Sequence, residues 1–115
     1  MNVIHSQQKN KIIQNKLVRE DIKLVPKQYL PELKQHLKTL QKDSDFGDDL
    51  WKIGECDLTG YKKIYFGDYT HRIVYEVHEG TINIVEIVAV GKRENEEVYW
   101  TAFARRLEKL EKSNI

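Results

Sequence analysis

The sequence predicts one small α+β domain, in which a helical region precedes an antiparallel β-sheet. Its length of 115 residues is that of a single domain, and with 40% hydrophobic residues the chain can bury one modest core. Leu30, Leu33, Leu37 and Leu40 recur at helical spacing, which predicts a helix of about three turns with one apolar face. From residue 58 onward, runs rich in β-branched and aromatic residues alternate with glycine-containing turns. Separate helical and strand regions indicate the α+β class.

Composition limits the functions that the chain can have. The net charge is only +1, so a nucleic-acid site must come from local placement of cations and not from a long-range field. Cys56 is the single cysteine, which excludes an internal disulfide and predicts a small buried side chain. No apolar run approaches the ~20 residues of a membrane span, and the amino terminus lacks the layout of a signal peptide. The sequence therefore predicts a soluble, cytoplasmic protein.

The amino-terminal part of the chain divides at residue 15. Residues 1–15 are polar without a firm period, which predicts an extension in front of a domain that spans residues 16–115. Residues 16–19 favour a short strand. The acidic pair Glu20 and Asp21 then offers the chemistry of a helix start.

The leucine stripe on the next helix has two interpretations. Pro31 suits the first turn of this helix, where its missing N–H is not needed. An apolar stripe of this width is typical of a face that packs on the core of its own domain. The alternative is a seam for a partner helix, in which case the partner-binding side chains are Leu33, Leu37 and Leu40.

Two features argue against a metal site. The histidines at positions 5, 36, 71 and 78 are scattered, and no Cys and His cluster has the spacing of a zinc site. The aspartates of the loop 42–50 lack the regular ligand positions and the closing glutamate of a calcium loop. No metal is therefore expected.

The second half of the chain predicts three consecutive strands and a final helix. Residues 62–66 and 71–77 read as two half-buried strands, and residues 81–90 read as a central strand that is covered on both faces. Their short connections indicate an antiparallel meander. A carboxy-terminal helix follows from about Glu96.

Alternation along these strands places cations on one surface. Lys63 and Tyr65 share the face opposite to Ile64 and Phe66, and Arg72 lies opposite to the positions 73, 75 and 77 that face the helices. Cations that converge without matched acids form a phosphate site, whereas an ordinary solvated basic face is the alternative interpretation. The predicted surface contains Lys63, Tyr65, Arg72, Arg93 and Tyr99.

Residues 58–107 resemble the RelE/ParE superfamily of bacterial type II toxins. The resemblance rests on the segments 58–64, 71–77 and 90–94, followed by Glu-Val-Tyr at 97–99 and a helix. A strand that ends in Val-Gly-Lys-Arg-Glu before Glu-Val-Tyr is similar to the RelE branch in particular. The resemblance implies a twisted antiparallel sheet with helices packed on one face and a carboxy-terminal helix. It also implies a metal-free and cofactor-free mRNA interferase that acts on the ribosome and is blocked by a cognate antitoxin.

The resemblance assigns roles residue by residue. Arg72 and Arg93 match family arginines that stabilise charge on the phosphate, and Tyr99 matches a tyrosine assigned to base stacking or proton transfer. Lys63 matches the first of two family lysines, and Tyr65 stands where the second is expected. Cleavage would use the 2′-hydroxyl of the substrate, with Lys63 or Tyr99 as the general base. The implied contacts to RNA are Lys62, Tyr65, His71 and Lys92, with Lys62 replacing the missing lysine only if the strand bulges or slips by one residue.

Two other functions remain open at this stage. Tyr65 at a lysine position, the near-neutral charge and the added amino terminus favour a catalytically weak or inactive relative that is retained as a protein-binding or regulatory module. A ParE-like poison of DNA gyrase is less favoured, because that branch lacks the interferase residues.

Overall fold

The computed structural model of the protein describes residues 9–113. Within this range, helices precede a strand meander and one helix closes the chain, which confirms the predicted α+β class. No helix of this range is long and apolar enough to cross a membrane. The elements in chain order are β1 (Lys11–Gln14), α1 (Lys16–Lys23), α2 (Leu30–Lys42), β2 (Asp48–Asp49), β3 (Lys52–Ile53), β4 (Cys56–Asp57), β5 (Tyr61–Phe66), β6 (His71–His78), β7 (Ile84–Lys92) and α3 (Glu97–Ser113).

The main sheet has five strands in the order β1-β7-β6-β5-β2. Strands β5, β6 and β7 form the predicted antiparallel meander, β2 adds a short antiparallel edge, and β1 pairs in parallel with β7. Strands β3 and β4 form a separate two-stranded ribbon. The meander is therefore the centre of the fold, and β1 and β2 are its edges.

The first strand lies earlier than the sequence predicted. Residues 16–19 begin helix α1 and are not a strand, because the side chain of Asn15 caps this helix by accepting a hydrogen bond from the N–H of Val18 at 3.0 Å. Strand β1 lies within the segment predicted as an extension, and residues 1–8 of that segment lie outside the described residues.

Helices α1 and α2 pack on one face of the sheet. Leu33 and Leu40 are buried against Ile73 and Tyr75 of β6, and Leu37 packs at the margin of the same cluster. Burial of each leucine contributes about 1.5–3 kcal/mol. The stripe is therefore a core face: Leu33 and Leu40 are occupied within the chain, Leu37 is half-buried, and partner binding by this stripe is not supported by its position.

Helix α3 packs on the opposite face of the sheet. Val98 and Ala102 contact a second buried cluster that includes Val74 and Ala89 of the meander. Cys56 is buried in this cluster, as predicted, and burial raises the pKa of its thiol. The sheet thus has a helical layer on each side, and α3 lies on the side that carries Lys63, Tyr65 and Arg72.

A tight turn joins β5 to β6. The N–H of Thr70 donates to the carbonyl of Gly67 at 3.0 Å, and Gly67, Asp68 and Tyr69 all have positive φ, of 62°, 54° and 68°. Gly67 is required at its position, because a Cβ there would lie 2.8 Å from the ring of Tyr29. Tyr69 is a bulky residue in a left-handed conformation, which costs of order 1–3 kcal/mol of strain.

The buried hydroxyl of Tyr75 fastens the loop after α2 to the sheet. It donates to the carbonyl of Ser44 at 2.9 Å and accepts from the N–H of Gly47 at 2.8 Å. Burial raises the pKa of Tyr75 to about 12, and it raises the pKa of Tyr61 to about 12 as well. Both phenols are therefore held neutral in the folded state well above their usual titration range.

These two tyrosines predict a loss of stability at alkaline pH. The unfolded chain releases the phenolic protons near pH 10, so the free energy of unfolding is expected to fall as the pH rises from about 10 to about 12. Urea denaturation at a series of pH values measures this fall. The Tyr75→Phe variant is less stable near neutral pH because Ser44 and Gly47 lose their partner, yet its alkaline loss should be smaller than that of the wild type. An identical pH dependence in the two proteins would contradict this prediction.

Candidate functional site

One end of the meander brings the predicted site residues together. Tyr65 of β5 pairs with Arg72 of β6, which pairs in turn with Gly91 of β7. Helix α3 starts at the same end, where a Cβ on Gly91 would lie only 3.6 Å from Val98. The ends of β5 and β7 and the starts of β6 and α3 therefore form one corner of the molecule.

Lys63, Tyr65 and Arg72 form a cation–tyrosine cluster on the face predicted for them. The Lys63 Nζ donates to the Tyr65 hydroxyl and lies 4.3 Å from the centre of the tyrosine ring. The Arg72 Cζ lies 3.9 Å from the same centre. Cations over an aromatic face are attracted by its negative charge. The ring of Tyr65 therefore contacts both Lys63 and Arg72.

Arg72 is more deeply buried than a freely accessible phosphate ligand. Only 5% of the residue is exposed, and its Nη1 donates to the carbonyls of Tyr69 at 2.7 Å and His71 at 2.9 Å. Its Nε is buried and has no partner among the described residues. Arg72 thus stabilises the β5–β6 turn through its Nη1, while its Nε donates no hydrogen bond within the described residues.

Arg93 and Lys92 are exposed where β7 ends. The backbone N–H of Arg93 donates to the carbonyl of Thr70 at 2.8 Å, which ties this segment to the β5–β6 turn. Within residues 9–113, no carboxylate oxygen lies within 4.0 Å of the charged nitrogens of Lys63, Arg72, Lys92 or Arg93. Of these four cations, Lys92 and Arg93 are exposed to an anion and Lys63 is half-buried, whereas Arg72 is enclosed by the protein.

Tyr99 is not arranged as the sequence analysis expected. Its side chain is 7% exposed and belongs to the apolar cluster beneath α3, with Leu58 and Val74. The groove that Arg93 lines contains neither Tyr99 nor Arg72. Tyr99 packs inward beneath α3 and does not line the groove of Arg93, and a joint role of Arg72, Arg93 and Tyr99 at a phosphate stays a prediction.

Lys62 does not replace the missing lysine. It lies on the opposite face of β5 from Lys63, where its Nζ is 2.7 Å from an Asp49 oxygen and 3.9 Å from an Asp45 oxygen. Strand β5 pairs with β6 residue by residue, without a bulge or a slip. Lys62 therefore serves to hold the short strand β2, and its predicted contact with RNA is not supported by its position.

His71 packs inside the protein. It is 5% exposed, and its ring centre lies 5.6 Å from that of Tyr29 and 5.3 Å from that of Phe66. Burial, and next the charge of Lys92, lower the pKa of His71, so the ring is neutral at neutral pH. The His71 ring is thus enclosed by tilted contacts with Tyr29 and Phe66, a position that does not support its predicted stacking on an RNA base.

Two aromatic residues that were not predicted as site residues, Tyr29 and Tyr69, lie at this corner of the molecule. Tyr69 is 70% exposed, and its ring centre lies 5.4 Å from that of Tyr65. Both tyrosines line the groove of Arg93 and Lys92, which has a volume of about 570 Å³. Tyr69 could have been identified from the sequence, because it is an aromatic residue in a short turn next to a strand that carries a cation. Tyr29 gave no comparable signal in the sequence.

A possible metal-ligand set lies at the other end of the meander. Single ligand atoms of Glu76, His78 and Glu86 lie within 4.8 Å of one another. The His78 Nε2 is already 2.9 Å from a Glu86 oxygen, and the Lys109 Nζ is 3.0 Å from the same oxygen. This group is therefore satisfied as an ion-pair network, remote from Lys63, Tyr65 and Arg72.

Comparisons with solved structures agree with this fold. A doubly substituted mutant of the E. coli toxin RelE in the free state has 20% identity and a TM-score of 0.66, over 84% of this chain and 97% of that chain. The toxin–antitoxin complex RelBE2 from Mycobacterium tuberculosis has 20% identity and a TM-score of 0.59, over 74% and 99%. A YoeB/ParE toxin from Agrobacterium tumefaciens has 15% identity and a TM-score of 0.56, over 72% and 98%. At these identities the likeness shows the fold alone.

The family comparison carries the assignment of the chain. No curated protein gives a match to the sequence. The model of the ParE toxin of type II toxin–antitoxin systems matches residues 6–97, which is most of the chain. The chain therefore belongs to this family of toxins, within the RelE/ParE superfamily.

Proposed function

We propose that the protein is the toxin of a type II toxin–antitoxin system and that it cleaves mRNA on the ribosome without a metal ion. The observation that carries the proposal is the set of cations at one corner of the sheet that lack carboxylate partners. Lys63, Lys92 and Arg93 are placed to meet phosphates, and Tyr65 and Tyr69 provide aromatic faces beside them. Unpaired RNA bases and their phosphates are bound by this combination of groups.

The chemistry divides among these side chains. The 2′-hydroxyl of the substrate gives its proton to a base and attacks the adjacent phosphorus, the bond from phosphorus to the 5′-oxygen breaks, and that oxygen takes up a proton from water. The negative charge on the phosphorane needs stabilisation during this step. Lys63 is preferred to Tyr99 for the proton on the 2′-hydroxyl, because Tyr99 is only 7% exposed. Arg93 is the exposed group for the non-bridging oxygens, and Arg72 orients the cluster through Tyr65.

The partners follow from the same proposal. The RelBE2 structure is a complex of a toxin with its antitoxin, which supports a cognate antitoxin as the inhibitor of this chain. The ribosome would present the message in an open conformation, and the protein would act in the cytoplasm.

Induction of the chain in a bacterial host tests the proposal. Growth arrest with newly cut mRNA ends is expected, and Arg93→Ala should relieve both effects because it removes the exposed phosphate ligand. Arg19→Ala is the matched control, since it removes an equal charge from an exposed site on α1. Intact messages during an arrest, or equal toxicity of the Arg93→Ala variant, would contradict the nuclease.

A second candidate is a non-enzymatic relative that binds proteins. It is favoured by the burial of Arg72 and Tyr99, two of the four proposed catalytic residues. A third, a gyrase poison, is kept open by the match to the ParE toxin model. Normal growth after induction would favour the second candidate, whereas accumulation of cleaved DNA in the presence of purified gyrase would favour the third.

A further inference from the structure

Tyr69 lines two grooves at the corner of the sheet. The first groove has a volume of about 570 Å³ and includes Tyr29, Tyr69, His71, Lys92, Arg93 and Glu94; we call it the Tyr29–Tyr69 groove. The second groove, of about 370 Å³, runs along the open edge of β5 and includes Lys63 and Tyr65. The exposed ring of Tyr69 therefore borders both of these surfaces.

The charges of the two grooves differ. Lys92 and Arg93 give the Tyr29–Tyr69 groove two cations against one carboxylate, that of Glu94. The second groove combines Lys63 and His36 with the carboxylates of Glu32, Asp48 and Asp68. The Tyr29–Tyr69 groove therefore carries an excess of positive charge.

The aromatic walls of this groove are held in place. The Tyr29 ring lies against Gly67, where an added Cβ would come within 2.8 Å of it, and it also contacts His71. On the other side, Tyr69 rests on Tyr65, and Tyr65 is held by Lys63 and Arg72. The walls are thus continuous with the cation–tyrosine cluster.

The backbone of Tyr69 is the most informative observation. A tyrosine with a φ of 68° is strained, and asparagine or glycine would form the same turn at lower cost. The strained residue is also 70% exposed, so burial of its ring does not compensate for the strain. A ligand that binds to the exposed ring of Tyr69 would explain why a strained tyrosine stands at this position.

We propose that the Tyr29–Tyr69 groove binds one unpaired nucleotide of single-stranded RNA next to the scissile phosphate. The base stacks on Tyr69, and its adjoining phosphate contacts Lys92 and Arg93. The assignment of RNA rests on the proposed function. The tilted contact between the Tyr69 and Tyr65 rings places this subsite directly beside the cation–tyrosine cluster.

Binding of an uncleavable RNA tests this subsite independently of catalysis. The probe is fluorescein-labelled hexaadenylate with 2′-O-methyl groups, which removes the attacking hydroxyl, and fluorescence anisotropy measures its affinity for the purified chain. Tyr69→Asn should weaken binding about tenfold, because stacking on one aromatic ring is lost. Tyr69→Phe keeps the ring and should bind like the wild type. The melting temperature of Tyr69→Asn should equal or exceed that of the wild type, since asparagine relieves the backbone strain.

Salt titration separates stacking from phosphate contacts. Lys92→Ala should reduce the slope of log affinity against log salt by about 0.7, whereas Tyr69→Asn should lower the affinity and leave the slope unchanged. Absence of binding by the wild type, or wild-type affinity of Tyr69→Asn, would overturn the subsite.

The binding and cleavage assays distinguish the subsite from the proposed function. If the probe binds in the expected pattern while induced cells keep intact messages, the groove stands and the nuclease fails. If messages are cut and Arg93→Ala prevents the cuts, but Tyr69→Asn changes neither probe affinity nor the positions of the cuts, the nuclease stands and the groove fails.

Discussion

Replacement of Lys63 with alanine is expected to lower the rate of mRNA cleavage by about 10²–10⁴-fold, the usual effect of losing a general base or a charge stabiliser. Lys63 has no carboxylate partner within 4.0 Å among the described residues, and it reaches the hydroxyl of Tyr65 at the proposed site. The measurement is the appearance of cut ends in a translation reaction with the purified toxin. Lys63→Arg should restore little activity, because a guanidinium does not release its proton.

The adjacent lysine provides the control for this prediction. Lys62→Ala removes the same charge one residue away, but from the opposite face of β5, where Lys62 contacts Asp49 and Asp45. Because Lys62 faces away from the proposed site, the rate should stay within about twofold of the wild type. A larger loss for Lys62→Ala than for Lys63→Ala would show that the wrong face of the strand had been assigned to the substrate.

Replacement of Arg105 with alanine is expected to lower the free energy of unfolding by about 3 kcal/mol, as for other enclosed ion pairs that lose one partner. The Arg105 Nη1 and Nη2 donate to the two oxygens of Asp21 at 2.7 and 2.9 Å. The same pair also bonds to backbone groups of β7 that lie past the end of its pairing with β1. Arg105 donates to the Val88 carbonyl at 2.8 Å, and Asp21 accepts from the Val90 N–H at 3.0 Å. Its loss leaves a half-buried carboxylate and a strand carbonyl without their partner.

Urea denaturation measures this effect, and the next residue supplies a comparison. Arg106 lies over the ring of Tyr61 with its Cζ 4.5 Å from the ring centre, and it donates to the Asp57 carbonyl at 3.1 Å. Arg106→Ala should therefore cost about 0.5–1.5 kcal/mol. If both variants lost the same free energy of unfolding, the ion pair of Arg105 with Asp21 would not stabilise the protein more than the contacts of Arg106 do.

Patterns within short stretches of sequence correctly predicted helix α2 and the three strands of the meander. The leucine spacing identified α2 and its core face, and the β-rich runs identified β5, β6 and β7. Strand β1 was missed because it has four residues and pairs with β7, far away in the chain, so its stability depends on a partner that local periodicity does not show. The capping side chain of Asn15 was also overlooked, and this led to a strand where α1 begins.

The part of the candidate site that lies on strands β5 and β6 could be predicted from the alternation of side chains between the two faces of a strand. The period of two correctly placed Lys63, Tyr65 and Arg72 on one face. The same rule puts His71 on the face of Ile73, beside the helices, so its burial could have been anticipated. The burial of Tyr99 depends on how α3 rotates against the sheet, which the sequence alone does not determine.

The parallel pairing of β1 with β7 has a consequence for the order in which the molecule is assembled. As the nascent chain leaves the ribosome, β1 emerges early but has no neighbour until Ile84 to Ile87 have also emerged. Closing so long a loop is slow relative to local structure formation. The edge of the sheet formed by β1 and β7 is therefore completed only after β7 has been synthesised.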